Sequence, residues 1–123
     1  MTAALDRLLA KPGITALTPE TVEAYIATGT VALFFTGNTT RYPEINDLAT
    51  ILPELMSEFP AQFRVGIIDP DAHRPLAARY KVTIRPSLVF TQNGAVLGSI
   101  PRLRDWSTYV TEIATLLSQA PPC

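Results

Sequence analysis

The segment Ile84-Arg85-Pro86-Ser87-Leu88-Val89-Phe90, followed by Gln92-Asn93-Gly94, decides the fold of this chain of 123 residues. A proline is tolerated beside an apolar, β-rich run where its missing N–H group is not needed, at the first position of a strand or on a binding edge. Proline statistics alone favour a trans bond, since only about 5–6% of X–Pro bonds in folded proteins are cis. Asn93-Gly94 between two apolar runs is a strong hairpin signal. The segment therefore predicts a strand that starts near Pro86 and turns at Asn93-Gly94.

The segments before this hairpin predict alternating strands and helices. Arg64 to Asp69 has the composition of a buried strand, and Ala72 to Tyr80 that of a short helix leading towards the proline. Val31 to Phe35 is apolar at every position, as expected of a central strand covered on both faces. We therefore predict the α/β class, with a central mixed β-sheet and helices on both of its faces.

Amphipathic patterns predict helices at both ends of the chain and a long one in the middle. The first helix, from Ala3 to Ala10, is short and leucine-rich. The long helix runs from about Pro43 to Phe59 and carries a continuous apolar stripe, and Pro53 inside it is expected to cause a kink. The last helix is expected to begin near Asp105, which can act as an N-cap, and to bury an apolar face that includes Trp106.

Length and composition predict one domain over residues 1–123, with a core over about 14–118, a short helix before it and a frayed tail from Ala120 to Cys123. The longest apolar run falls far short of the ~20 residues that span a bilayer. The N-terminus lacks the basic and then apolar build of a signal peptide, so we expect a cytoplasmic protein. The single cysteine, Cys123, excludes an intramolecular disulfide and a thiolate metal cluster.

The charges are unevenly distributed although the net charge is only −1. From Thr18 to Asp71 there are eight acids and two bases, whereas from Ala72 to Arg104 there are six bases and no acid. Solvated helix faces would explain both runs. The alternative is a polarised surface that steers a charged partner.

The order of these elements resembles the thioredoxin fold, and the resemblance covers about Thr18 to Ser118. It implies that the Arg85-Pro86 bond is cis and that the proline faces a peptide groove. Thioredoxins carry Cys-x-x-Cys where this chain has the residues from Thr36 to Glu44. They also carry a buried acid in the central strand, at the position that corresponds to about Leu33. None of these residues can exchange electrons, so both chemical parts of the redox site are absent while the frame remains.

Several further features together resemble the HyaE/HupG family of hydrogenase expression proteins. They are Phe34-Phe35-Thr36, a lengthened loop that ends in Arg41-Tyr42-Pro43-Glu44, Glu58-Phe59-Pro60, and Arg85-Pro86-Ser87-Leu88-Val89. The resemblance implies that the protein is a cytoplasmic chaperone, that it is not an enzyme and that it has no cofactor. It implies binding to the precursor of the small subunit of an uptake [NiFe] hydrogenase, notably its twin-arginine signal peptide, and contact with other hydrogenase accessory proteins.

A groove for such a peptide needs acids beside apolar surface. We expect Glu44 and Asp47 to meet the arginines, and Tyr42 and Ile84 to flank the apolar segment beside Pro86. Arg85 opposes a basic peptide, because like charges repel, unless it pairs with Glu44 or Asp47 or contacts an acid or carbonyl of the partner. Both Tyr42 and Glu44 also have a structural alternative. Tyr42 would be a core residue, and Glu44 would stabilise the N-terminus of a helix.

Other classes of function have weaker support in the sequence. A redox enzyme would depend on Cys123 alone, and His73 with Asp69 and Asp71 would make a poor metal site. Nucleic-acid binding lacks a basic surplus, and no segment suits membrane insertion. The main alternative is a thioredoxin-like interaction scaffold with a different protein partner.

Overall fold

The computed structural model describes residues 2–119, which form five helices and five strands. In chain order these are α1 (Ala3–Leu9), β1 (Ile14–Ala16), α2 (Val22–Ile26), β2 (Thr30–Phe35), α3 (Glu44–Glu58), β3 (Arg64–Ile68), α4 (Arg74–Arg79), β4 (Ser87–Gln92), β5 (Ala95–Pro101) and α5 (Trp106–Ser118). The predicted C-terminal tail lies outside the described residues.

The strands form one mixed sheet in the order β1-β3-β2-β4-β5. Strands β1 and β2 both run parallel to β3, whereas β4 runs antiparallel to β2 and to β5. Strand β2 is central, and every residue from Val31 to Phe35 is fully buried. This is the strand order and direction of the thioredoxin fold, so the predicted fold class is confirmed.

Side chains of β2 alternate between two apolar layers because successive residues of a strand point to opposite faces. Ala32 and Phe34 pack with α1, α3 and α5 on one face of the sheet. Leu33 and Phe35 pack with α2 and α4 on the other. Burying a side chain of this size contributes roughly 1.5–3 kcal/mol, so the sheet is held from both sides.

The hairpin between β4 and β5 turns at Asn93-Gly94, as predicted, and both residues have positive φ, 48° and 87°. This is the two-residue turn that Asn-Gly favours. The turn is also tied to the loop before β2, because the Gly29 N–H donates to Asn93 Oδ1 at 2.9 Å. The hairpin therefore fixes β4 beside the central strand and with it the position of the preceding Pro86.

Helix α5 differs from the prediction at its first residue. Asp105 caps it as expected, accepting a hydrogen bond from the Thr108 N–H at 2.8 Å. Trp106, however, is 40% exposed, while Tyr109 and Ile113 are fully buried. Trp106 stands one turn before the buried face, and Leu103 from the preceding loop packs against the core instead. The prediction of a buried Trp106 was therefore wrong.

Candidate functional site

The loop between β2 and α3 occupies the place of the redox pair in a thioredoxin. Thr36 is buried, and its N–H and Oγ1 both donate to the Ile68 carbonyl, at 2.9 and 3.3 Å. Asn38 Oδ1 accepts hydrogen bonds from the N–H groups of Thr40 and Arg41, at 2.9 and 3.2 Å. Hydroxyl and amide side chains thus hold a loop that, in a redox protein, would present thiols.

Pro86 lies beside this loop at the start of β4. The Arg85-Pro86 bond is cis, as the thioredoxin resemblance implied, and Pro86 is buried. Ser87 Oγ donates to the Ile84 carbonyl at 2.5 Å, which closes the turn around the proline. Ile84 and Arg85 are half-buried and flank the turn.

Arg85 crosses the site and pairs with Asp71, a residue of the loop after β3. Arg85 Nη2 lies 3.0 Å from Asp71 Oδ1, and the Arg85 side chain is 25% exposed. Pairing of Arg85 with Glu44 or Asp47, one of the alternatives that the sequence left open, is not found among the described residues. Asp71 is available because the carboxyl ends of β3 and β2 meet at the same edge of the sheet, where its own N–H bonds to Asp69 Oδ1 at 3.0 Å.

Gly37 makes this crossing possible. A Cβ atom at Gly37 would stand 2.6 Å from Arg85 Cδ and 3.5 Å from Asp71 Oδ2. The φ of Gly37 is +138°, in the region that favours glycine. Arg85 therefore lies where a side chain of the β2–α3 loop would otherwise project.

Tyr42 is both a core residue and a site residue. Its half-buried ring packs against the apolar layer of α3. The guanidinium carbons of Arg41 and Arg85 lie 5.6 and 5.8 Å from the ring centroid, within the distance of a cation–π contact. The structure thus brings Tyr42, Arg85 and Pro86 together.

Glu44 and Asp47 are exposed in the first turn of α3, which begins two residues after Tyr42. Neither acid forms an ion pair with another residue in the described part of the chain. Both charges lie at the positive end of the helix dipole, which stabilises the helix whether or not a partner binds.

A cleft with a volume of about 620 Å³ opens on the other side of Gly37, at the carboxyl ends of the three parallel strands. Leu17, Thr36, Asn38, Asp69 and His73 are among its lining residues. Sequence reasoning missed this cleft and the contacts of Gly37 and Asp71 with Arg85, because it compared the loop after β2 with a redox motif and considered the loop after β3 only as a metal site.

Metal binding finds no support in the part of the chain that the structure describes. Within residues 2–119, His73, Asp69 and Asp71 do not form a group that could hold a metal ion, and neither do any other three such side chains. No helix in the same range combines the length and apolar character needed to cross a membrane.

The fold and this site together define a thioredoxin-like protein in which threonine, glycine and asparagine replace the redox thiols and an arginine–aspartate pair covers the loop. The family model described as Hydrogenase-1 expression protein HyaE matches residues 4–109. The chain therefore belongs to the HyaE family, as the sequence features indicated.

Individual relatives agree with this assignment. Hydrogenase expression/formation protein HupG of Rhizobium leguminosarum bv. viciae is 35% identical over 99% of this chain and 86% of its own length. Hydrogenase expression/formation protein HoxO of Cupriavidus necator is 33% identical, over 93% of this chain and 73% of its own. The crystal structure of a hupG protein from Rhodopseudomonas palustris CGA009 superposes with a TM-score of 0.58 at 37% identity, covering 85% of this chain and 96% of that one.

Proposed function

We propose that this protein is a non-redox chaperone of [NiFe] hydrogenase maturation, without enzymatic activity or cofactor. In the cytoplasm it binds the precursor of the hydrogenase small subunit through the twin-arginine signal peptide, and it delays export until assembly is complete. Its membership of a hydrogenase expression family and the names of its relatives support the hydrogenase role.

One observation carries the peptide-binding part of this proposal. The turn at Pro86, with its cis bond, is present as in a thioredoxin. The loop that would carry the redox pair is instead covered by the ion pair of Arg85 and Asp71. Within residues 2–119, neither the N–H nor the C=O of Arg85 takes part in a backbone hydrogen bond. These groups suit an extended peptide that adds as a strand, since main-chain hydrogen bonds supply affinity in that mode.

The surroundings of this turn fit a peptide that is basic at one end and apolar in the middle. Ile84, within the turn, and Tyr42, whose ring contacts Arg85, offer half-buried apolar surface. Glu44 and Asp47 add two negative charges that no cation in residues 2–119 neutralises. Asp71 offsets the charge of Arg85 and so reduces its repulsion of a basic peptide.

Titration calorimetry of the full chain against the twin-arginine signal peptide and a twin-lysine version tests this function. We expect binding that favours arginine, because its planar guanidinium can pair with a carboxylate through two hydrogen bonds. Ile84→Ala or Tyr42→Ala should weaken binding by about tenfold or more, since a buried side chain of that size contributes roughly 1.5–3 kcal/mol.

If the folded protein binds neither peptide, this function is wrong. The alternative of a thioredoxin-like scaffold for another protein, such as a second hydrogenase accessory protein, would then be preferred. A pull-down from cells that make the hydrogenase would identify that partner.

A further inference from the structure

The cleft beyond Gly37 has the position and build of a second binding site. Its walls come from the carboxyl ends of parallel strands, with Leu17 following β1, Thr36 following β2 and Asp69 following β3. Ligands of open α/β sheets bind outside this edge. Its volume of about 620 Å³ lies within the range of about 300–1,000 Å³ found for sites that enclose drug-sized ligands.

The lining of the cleft combines an apolar floor with a polar rim. Leu5, Leu17 and Ile67 form the floor, and each is at most 5% exposed. Thr18, Asn38 and Thr39 contribute hydroxyl and amide groups. All the lining residues belong to the described range, and they include one acid, Asp69, and no lysine or arginine.

Asp69 and Asp71 have different electrostatic roles although they are two residues apart. Asp71 is paired with Arg85, outside the cleft. Asp69 is exposed and lines the cleft, and it has no ion pair with any residue from 2 to 119. Its Oδ1 accepts the Asp71 N–H, and no hydrogen bond within that range uses its Oδ2. Asp69 is therefore an acid at the edge of the cleft whose charge no cation in residues 2–119 balances.

We propose that this cleft holds the cationic end of the bound peptide, with Asp69 pairing with an arginine side chain above the apolar floor. The inference rests on the function proposed above and locates the arginine contact. The groove beside Pro86 is less suitable for that end, because Arg85 and Arg41 both lie there against Tyr42. The loop from Gly37 to Thr39 separates the two sites, so one extended peptide can have its cationic end in the cleft and its apolar part beside Ile84.

Calorimetry of Asp69→Asn against a synthetic peptide with two adjacent arginines and an apolar segment tests this assignment. Asparagine can still accept the Asp71 N–H, so the loop should keep its structure, which thermal denaturation checks. We expect about fivefold weaker binding and a smaller salt dependence, the upper end for an exposed ion pair. The control Glu58→Gln removes a charge that is also exposed, at the far end of α3, and should change the affinity less than twofold.

The site itself is mapped by amide NMR of the labelled full chain during titration with the same peptide. The largest shift changes should fall on Thr36, Asn38 and Asp69. Wild-type binding that Asp69→Asn leaves unchanged, or shift changes confined to Tyr42 and Ile84, would overturn the cleft assignment and leave the proposed function standing. Absence of wild-type binding would refute both.

Discussion

Arg85 lies directly on Gly37, so closely that a Cβ atom at Gly37 would stand 2.6 Å from Arg85 Cδ. Gly37→Ala must therefore strain a backbone with φ of +138° and displace the arginine from Asp71. We expect the free energy of unfolding to fall by about 2–3 kcal/mol, from strain and overpacking together. Urea denaturation measures the change.

A matched glycine separates the two causes. Gly94 also has positive φ, 87°, but a Cβ there would meet no atom within 4 Å. Gly94→Ala should therefore lose only the backbone part, about 1 kcal/mol. Repeating Gly37→Ala in an Arg85→Ala background should reduce its effect to the backbone part at Gly37 alone. An effect that does not depend on Arg85 would show that the close contact has no energetic role.

The same arginine should weaken the binding of a basic peptide. Arg85→Gln removes a positive charge beside the groove and leaves the carboxylate of Asp71 without its cation. We expect the twin-arginine peptide to bind about twofold to fivefold more tightly, the range of an exposed charge interaction. Arg7→Gln on α1 removes the same charge from an exposed position and should have little effect. Weaker binding of the Arg85 variant in calorimetry would mean that Arg85 contacts the partner directly.

Local patterns predicted the frame of this protein well. A few consecutive residues were enough to predict the buried central strand from Val31 to Phe35 and the hairpin turn at Asn93-Gly94. Both are found as expected. The cis bond before Pro86 followed from the thioredoxin resemblance and not from the residues themselves, since proline statistics favour trans.

The contacts of the candidate site were not predictable in the same way. The pair of Arg85 and Asp71 joins two loops that α4 separates in the chain and that meet only after β3, β2 and β4 have assembled. The role of Gly37 depends on that same assembly. A sequence pattern identified Arg85 as a charge in need of a partner, but could not select among the exposed acids.

The loss of the thiols leads to a prediction about chemistry. The loop from Thr36 to Glu44 contains no residue that exchanges electrons, so insulin reduction and disulfide exchange should be undetectable. Cys123→Ser should leave peptide binding unchanged. A turnover that disappears in this variant would indicate a redox protein that uses a single cysteine.

The cap of α5 makes stability depend on pH at the acidic end. Hydrogen bonds from Thr108 lower the pKa of Asp105 below its ordinary value. Because the pKa of Asp105 is lower in the folded than in the unfolded state, its carboxylate stabilises the fold fully at pH values above the unfolded-state pKa of about 3.9. This contribution is lost as the pH falls through the folded-state pKa. Wild type should therefore exceed Asp105→Asn in unfolding free energy at pH 7, and the difference should be smaller at an acidic pH below the unfolded value. A difference that is equal at both pH values in denaturant titrations would exclude this role of the charge.

The acids at the start of α3 should contribute to binding through their field. Glu44→Gln with Asp47→Asn removes two exposed charges that no ion pair within residues 2–119 neutralises. Exposed pairs contribute only about 0.2–1 kcal/mol each, so binding of the twin-arginine peptide should weaken by about twofold to thirtyfold and become less dependent on salt. The control Glu54→Gln with Glu58→Gln removes the same charge from the other half of α3 and should have a smaller effect. Equal losses in the two double variants would mean that net charge, and not the position of Glu44 and Asp47, attracts the peptide. Combining the first double variant with Asp69→Asn should give additive losses if the cleft and α3 meet different parts of the peptide.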